Sequence, residues 1–232
     1  MHWKNNMNSK SQNLKFKAVI FDMDGTMFDT EYLASIAWKR AGEELNYTIN
    51  EDVLSQVRGR NIADAIQIFS DIYGTDQVYK EAKVLRDQYV ANMIERDGIP
   101  IKKGLLELLT FLKDGHKKMA VATSSKCERS KNLLIETGVY DYFQAHIYGD
   151  MVIKSKPNPE IFLIAAEQLG VKPEECLVLE DSKAGIRAGK NAGMCPILIP
   201  DLTPPDKEMT EDAYLICKDL FEVLDILKNL VE

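Results

Sequence analysis

Lys15-Phe16-Lys17-Ala18-Val19-Ile20-Phe21 runs without a break into Asp22-Met23-Asp24-Gly25-Thr26, and this junction decides the fold. The first part is short and rich in Val, Ile and Phe, which is strand composition. It ends abruptly in an acidic, glycine-containing loop, the pattern expected at the carboxyl end of a buried parallel strand. Ligands of open parallel sheets bind at such ends. Asp22 and Asp24 are therefore the first candidate site residues.

Downstream the rhythm changes twice. From Glu31 to about Asp97 the pattern is helical: Leu33, Ile36, Ala37, Ala41 and Leu45 share one face, Ile62, Ala65, Ile66, Phe69 and Ile72 a second, and Val78, Ala82, Leu85, Tyr89 and Met93 a third. Gly74-Thr75-Asp76 and Asp97-Gly98 punctuate it. After Pro100, helices are expected over 104–113, 126–137, 159–169, 183–191 and 219–231, with strands over 118–122, 145–148, 176–179 and 196–199. That alternation is the signature of right-handed βαβ units. The expected fold class is α/β: a doubly wound parallel, Rossmann-like sheet built from 15–30 and 101–232. An all-helical domain over 31–100 interrupts it after the first strand, and 1–14 reads as a disordered leader.

Composition narrows the function. Apolar residues make up 45% and charged residues 28% of 232 positions, ordinary usage for a soluble globular chain and unlike a disordered one. No uncharged apolar run approaches the ~20 residues of a membrane span, so no membrane partner is expected. Thirty-six acidic against 29 basic residues give −7. A protein that grips nucleic acid by its phosphates presents a basic surface, so nucleic acid is disfavoured and a small anion would need a local cationic site. Cys127, Cys176, Cys195 and Cys217 show neither CxxC nor zinc-ligand spacing and read as reduced thiols of a cytoplasmic protein. The polar stretch 1–14 has no apolar core of a signal peptide. No pattern specifies an oligomer.

Four strand ends carry the chemistry. Asp22 and Asp24, two apart in extended chain, point to the same side, and their repulsion calls for a divalent cation or a proton; capping of the following segment is the alternative. Glu180 and Asp181 follow a second strand and add oxygen donors to a hard-cation site suited to Mg²⁺, with Ser182 a candidate N-cap for the next helix. Thr123-Ser124 ends a third strand, where a hydroxyl and backbone N–H groups can hold phosphoryl oxygens or cap a helix. Lys156, before Pro157, is held extended, with Asn158 a candidate N-cap and Pro159 the first helical position. A rigidly presented lysine near four acids offsets them and grips an anion.

These parts in this order — Asp22-Met23-Asp24-Gly25-Thr26, Thr123, Lys156, Glu180-Asp181-Ser182, then Ala184-Gly185-Ile186 and Ala192-Gly193-Met194 — resemble the haloacid-dehalogenase-like superfamily of phosphotransferases. The helical insertion resembles the cap of its phosphoglycolate-phosphatase and β-phosphoglucomutase branch. The resemblance spans essentially all of the chain from Lys15. It implies that Asp22 is the nucleophile that forms an aspartyl-phosphate. Asp24 would be general acid toward the leaving alcohol and then general base toward water. Mg²⁺ would be held by Asp22, the Asp24 carbonyl, Asp181 and Glu180, and the phosphoryl group by Thr123, Ser124 and Lys156. The implied substrate is a small phosphorylated metabolite, because a closing cap excludes water and macromolecules.

Competing activities leave marks on particular residues. The sugar-phosphate mutases of this branch carry a cap histidine shortly after the first motif; within Asp29-Thr30-Glu31-Tyr32-Leu33-Ala34 that position is Ala34. Dehalogenases lack the second aspartate, and phosphonate hydrolysis needs a cap lysine where this chain has Arg58-Gly59-Arg60. Arg58 and Arg60 are candidate cap contacts to substrate. A receiver domain that stores an aspartyl-phosphate groups similar residues, but lacks a base at Asp24 and the inserted helices. His2, His116 and His146 lie outside the motifs.

Overall fold

The computed structural model describes residues 15–58 and 62–229. The leader 1–14, Arg60 and the last residues of the expected C-terminal helix lie outside the described residues. Contacts divide the chain into two compact units, one formed by residues up to Phe28 together with those from Ile101 onward, the other by Asp29–Pro100.

The first unit is an α/β sheet of six parallel strands. They are β1 (Ala18–Phe21), β2 (Lys118–Ala122), β3 (Ala145–Ile147), β4 (Cys176–Glu180), β5 (Cys195–Leu198) and β6 (Leu215–Ile216), in the order β3-β2-β1-β4-β5-β6. Phe21 pairs with Val121 on one side and with Leu179 on the other. The order reverses at β1 and β4, the switch point where a crevice opens beyond the strand ends. All four residues of β1 are fully buried, which explains their unbroken apolar run. Alternate strand residues Ala18, Ile20, Ala120, Ala122, Cys176 and Val178 share a core with Ile161, Phe162, Ala165 and Ala166 of a covering helix (Glu160–Leu169). Small residues on β2 let that helix approach closely.

The second unit contains the helices α1 (Thr30–Glu44), α2 (Glu51–Val57), α3 (Ile62–Tyr73) and α4 (Gln77–Asp97). The first unit supplies α5 (Leu105–Asp114), α6 (Cys127–Glu136), α7 (Glu160–Leu169), α8 (Lys183–Asn191), α9 (Lys207–Asp212) and α10 (Leu220–Lys228). The core of the second unit is aromatic: the rings of Trp38 and Tyr79 lie 5.4 and 5.2 Å from that of Phe69, the latter edge to face. Three expected stripe residues are corrected. Ile36, Ile62 and Ile72 are exposed, because the α1 face that packs inward is set by Trp38, Ala37 and Ala41, and Ile62 and Ile72 lie at the two ends of α3, where a helix has neighbours on fewer sides.

Helices α2 and α9 and strand β6 were not expected from the sequence. Helix α2 starts at Asn50, whose side chain accepts the Val53 N–H at 3.3 Å, helix α9 starts at Asp206, whose side chain accepts the Met209 N–H at 2.8 Å, and β6 has only two residues. The start of α7 is shifted by one: Pro159 is the N-cap, while Asn158 Oδ1 accepts the Glu160 N–H at 3.1 Å.

Candidate active site

The ladder on both sides of β1 fixes Asp22, whose N–H still donates to Leu179 O at 2.9 Å. Its side chain is buried. Glu180 belongs to β4 itself and is also buried, a correction to its expected place in the loop after the strand. Asp181 follows, accepting the Thr26 hydroxyl at 3.3 Å. Gly25 permits this approach twice over: its φ is +83°, and a Cβ there would lie 2.4 Å from Asp181 Oδ2.

Lys156 enters the cluster as its central cation. Its Nζ donates to Asp22 Oδ1 at 2.5 Å, Glu180 Oε1 at 2.8 Å and the Ala122 carbonyl at 3.1 Å, using all three donors. The ammonium also lies 4.8 Å from the Phe162 ring centroid. The peptide bond to Pro157 is cis. Burial pushes the Asp22 carboxyl up to about 7; Lys156 opposes the rise, and Glu180 and Asp24 add to it. Burial alone would lower the Lys156 ammonium, but Asp22 and Glu180 outweigh it and hold it above the usual lysine range. The two directions look contradictory and are not. Lysine gains from two carboxylates, whereas Asp22 shares one lysine with a competing neighbour.

The cluster thus carries more negative than positive charge, which a hard cation would correct. Asp22, Glu180 and Asp181 each offer a carboxylate oxygen, all within 4.8 Å of one another. An all-oxygen donor set with surplus negative charge fits Mg²⁺. The Asp24 carboxylate is not in this group. It is engaged by Ser125 Oγ at 2.6 Å and by Arg129, whose Nη1 and Nη2 reach its two oxygens at 2.9 and 2.7 Å. Sequence reasoning passed over both residues.

Thr123 is buried at the end of β2. Its N–H is used by Ile147 O at 3.0 Å, which corrects the expectation of a free amide there. Its Oγ1 accepts the Ser125 N–H at 3.1 Å, leaving its own O–H to donate. Ser124 is exposed. Ser182 caps α8, accepting the Gly185 N–H at 3.0 Å, while its own N–H donates to Glu180 Oε2 at 2.6 Å.

Gly185 reports on how tightly Glu180 is held. A Cβ at Gly185 would fall 1.6 Å from Glu180 Oε1, so Gly185→Ala must expel that carboxylate from Lys156. Alanine favours a helix over glycine by roughly 1 kcal/mol, so the fold alone predicts a neutral or stabilising change. We expect instead a loss of activity of about 10–100-fold, the usual cost of disturbing the groups that orient metal ligands. Far-UV circular dichroism and phosphate release, measured side by side, separate the two.

Arg58 and Ala34 lie in the helical unit, where they line a cavity of about 300 Å³ with Trp38, Tyr79, Lys83 and Arg86. Arg58 Nη1 pairs with Glu51 at 2.7 Å; among the described residues Arg58 Nη2 and Arg86 Nε are buried with no hydrogen-bond partner, although Arg86 Nε lies 3.2 Å from Asp87 Oδ1 as an ion pair. His146 stacks on Tyr140 with centroids 4.2 Å apart, well accounted for by packing.

Residues 19–199 match the family described as haloacid dehalogenase-like hydrolase. A phosphorylated carbohydrates phosphatase of Thermotoga maritima is 30% identical over 217 residues, covering 93% of this chain and 100% of the relative. The β-phosphoglucomutase of Bacillus subtilis is 32% identical over 187 residues, covering 77% and 80%. The crystal structure of CbbY from Rhodobacter sphaeroides in complex with phosphate aligns with a TM-score of 0.72 at 25% identity, covering 92% and 99%.

Proposed function

This chain belongs to the haloacid dehalogenase-like hydrolases, and from that premise we propose that it is a Mg²⁺-dependent phosphatase of small phosphorylated metabolites, sugar phosphates foremost, working through Asp22. The observation that carries the proposal is the cluster at the switch point: a buried carboxylate at the end of β1, bonded at 2.5 Å to a buried lysine and flanked by two further acids. Asp22 attacks phosphorus and the ester P–O bond breaks, leaving the phosphoryl group on Asp22. Asp24 gives a proton to the departing alkoxide, then takes one from the water that attacks the aspartyl-phosphate. Inorganic phosphate leaves and Asp22 is restored. Lys156 and the Thr123 hydroxyl steady the phosphoryl oxygens, catalysis by position and charge rather than by a new bond. Asp22, Asp181, Glu180 and the Asp24 carbonyl would hold Mg²⁺, which supplies neutralising charge for phosphoryl transfer.

The second reading, a sugar-phosphate mutase, is favoured by the β-phosphoglucomutase relative and disfavoured by Ala34, which offers no imidazole to a sugar hydroxyl. No helix among the described residues is long and apolar enough to cross a membrane. Four cysteines outside any disulfide fit a cytoplasmic location.

Dialysis against a chelator is expected to reduce phosphate release from a panel of sugar phosphates to background, and Mg²⁺ to restore it. Sustained turnover in excess chelator would sink the metal assignment. Including a hexose 1-phosphate separates the two readings: free sugar supports hydrolysis, the 6-phosphate isomer supports the mutase.

A further inference from the structure

The turn that follows β2 is held from outside itself. Thr123 donates its N–H to Ile147 O at 3.0 Å, the last residue of β3, and beyond the two strand ends the neighbouring loops stay joined. Gly149 N–H donates to Ser125 O at 2.9 Å. A Cβ at Gly149 would lie 2.1 Å from Ser124 O. That atom belongs to the backbone and cannot swing aside, so only glycine admits the approach. The next residue, Asp150, accepts the Cys127 N–H on both carboxylate oxygens, at 3.1 and 3.3 Å.

Helix α6 needs that acceptor. The first N–H groups of a helix have no intrahelical partner. Its N-cap residue is Lys126, in extended backbone and without a side-chain cap bond, because a lysine side chain carries no acceptor. Asp150, 23 residues further along the chain, supplies one and brings negative charge to the positive end of the helix dipole. The residue is exposed, so its side chain fills no place in the core, and its substitution opens no cavity.

The effect reaches the phosphoryl site through Ser125. The Ser125 carbonyl is fixed by Gly149, and the Ser125 N–H donates to Thr123 Oγ1 at 3.1 Å. That bond occupies one lone pair of the buried hydroxyl and so orients its proton. We propose that Gly149 and Asp150 are positioning residues: they clamp the turn 123–127 so that the Thr123 hydroxyl is aimed at the phosphoryl oxygens. The proposal rests on the hydrolase reading above. Neither residue has to touch the substrate.

The test titrates inorganic phosphate into the whole protein with Mg²⁺ by calorimetry, and measures kcat/KM for p-nitrophenyl phosphate alongside. For Asp150→Ala we expect phosphate affinity and kcat/KM each to fall about tenfold or more, since misplacing a group by about 1 Å costs on the order of 100-fold. Asp150→Asn keeps an oxygen acceptor and should stay within about threefold of wild type. Thr123→Val removes the hydroxyl at nearly constant shape, and adding Asp150→Ala to it should cost little more, because the two act through one group. Lys126→Ser gives α6 a cap of its own; in the Asp150→Ala background phosphate binding should stay weak even as the melting temperature recovers. Wild-type affinity in Asp150→Ala, losses that multiply with those of Thr123→Val, or phosphate binding restored by Lys126→Ser would reduce Asp150 to a helix cap. Each of these overturns the proposal and leaves the hydrolase reading standing. A wild-type protein that releases phosphate from no ester overturns the hydrolase reading itself.

Discussion

Asp22→Asn should lose at least about 10⁴-fold in turnover, because removing a nucleophile leaves only binding and electrostatics to catalyse, while the fold gains stability when metal is absent. Asparagine has the same shape and carries no charge. In the metal-free protein the buried Asp22 carboxyl titrates at about 7, against 3.8 for the ordinary group. A raised folded value means that the folded state binds more protons than the unfolded chain between those limits. The stabilising contribution is present below about pH 4 and is lost as pH rises through about 7. At pH 8 with chelator, wild type carries a buried anion that shares its lysine with Glu180, and Asp22→Asn does not. The variant should therefore melt higher at pH 8, and the gap should narrow through pH 5 and close only near pH 4. Measuring phosphate release and thermal melts on the same preparations decides it. Retained turnover refutes the nucleophile; a variant less stable at pH 8 refutes the account of its charge. Mg²⁺ should reverse the order at pH 8, since it stabilises only the chain that offers it a full set of ligands.

The legibility of this site follows from where its information is stored. Asp22, Asp24, Glu180 and Asp181 could be read in the sequence because each sits where an apolar run stops, and that local event marks a strand end. Lys156 could be read because Pro157 and Asn158 mark a helix start beside it. Arg129 and Ser125 could not, because their meaning is a contact over more than a hundred residues; the only trace is a cation in the first turn of a helix, against the dipole. Glu180 shows the converse error. Adjacent acids look equivalent in a sequence, yet the extra strand residue in β4 buries Glu180 against Lys156 and leaves Asp181 to Thr26 and Gly25. In the helical unit, periodicity located three of the four helices, missing the seven-residue α2, and did not settle which apolar stripe of α1 faces inward. Trp38 took the inner face of α1 and displaced Ile36 because the larger ring buries more area. The two-residue β6 is too short to carry any period.

Lys156→Met tests whether the lysine is chiefly a phosphate ligand or chiefly the counter-charge that lets the acids be buried together. Methionine fills much of the same volume and packs well on the Phe162 ring that the ammonium faces, so cavity formation contributes little. What is lost is the only cation bonded to both Asp22 and Glu180 among the described residues. Leaving one member of a buried ionic cluster uncompensated costs about 3–5 kcal/mol, and removing a donor to the transferring group costs about 10²–10³-fold in kcat. The pH trend separates the two roles. The raised ammonium of Lys156 supplies stability below its unfolded value of 10.5 and loses it only as pH passes the higher folded value, so its own titration lies outside the range from pH 5.5 to 8. Within that range the carboxylates govern. Without the lysine that lowers it, the Asp22 carboxyl rises further, so the variant should be most unstable at pH 8 and recover as protons replace the missing charge. Urea denaturation in chelator should show a deficit relative to wild type that shrinks markedly between pH 8 and pH 5.5. A deficit equal at both values would mean that Lys156 supports the fold by packing alone, and the burial of two acids at the end of β1 and β4 would need another source of compensation.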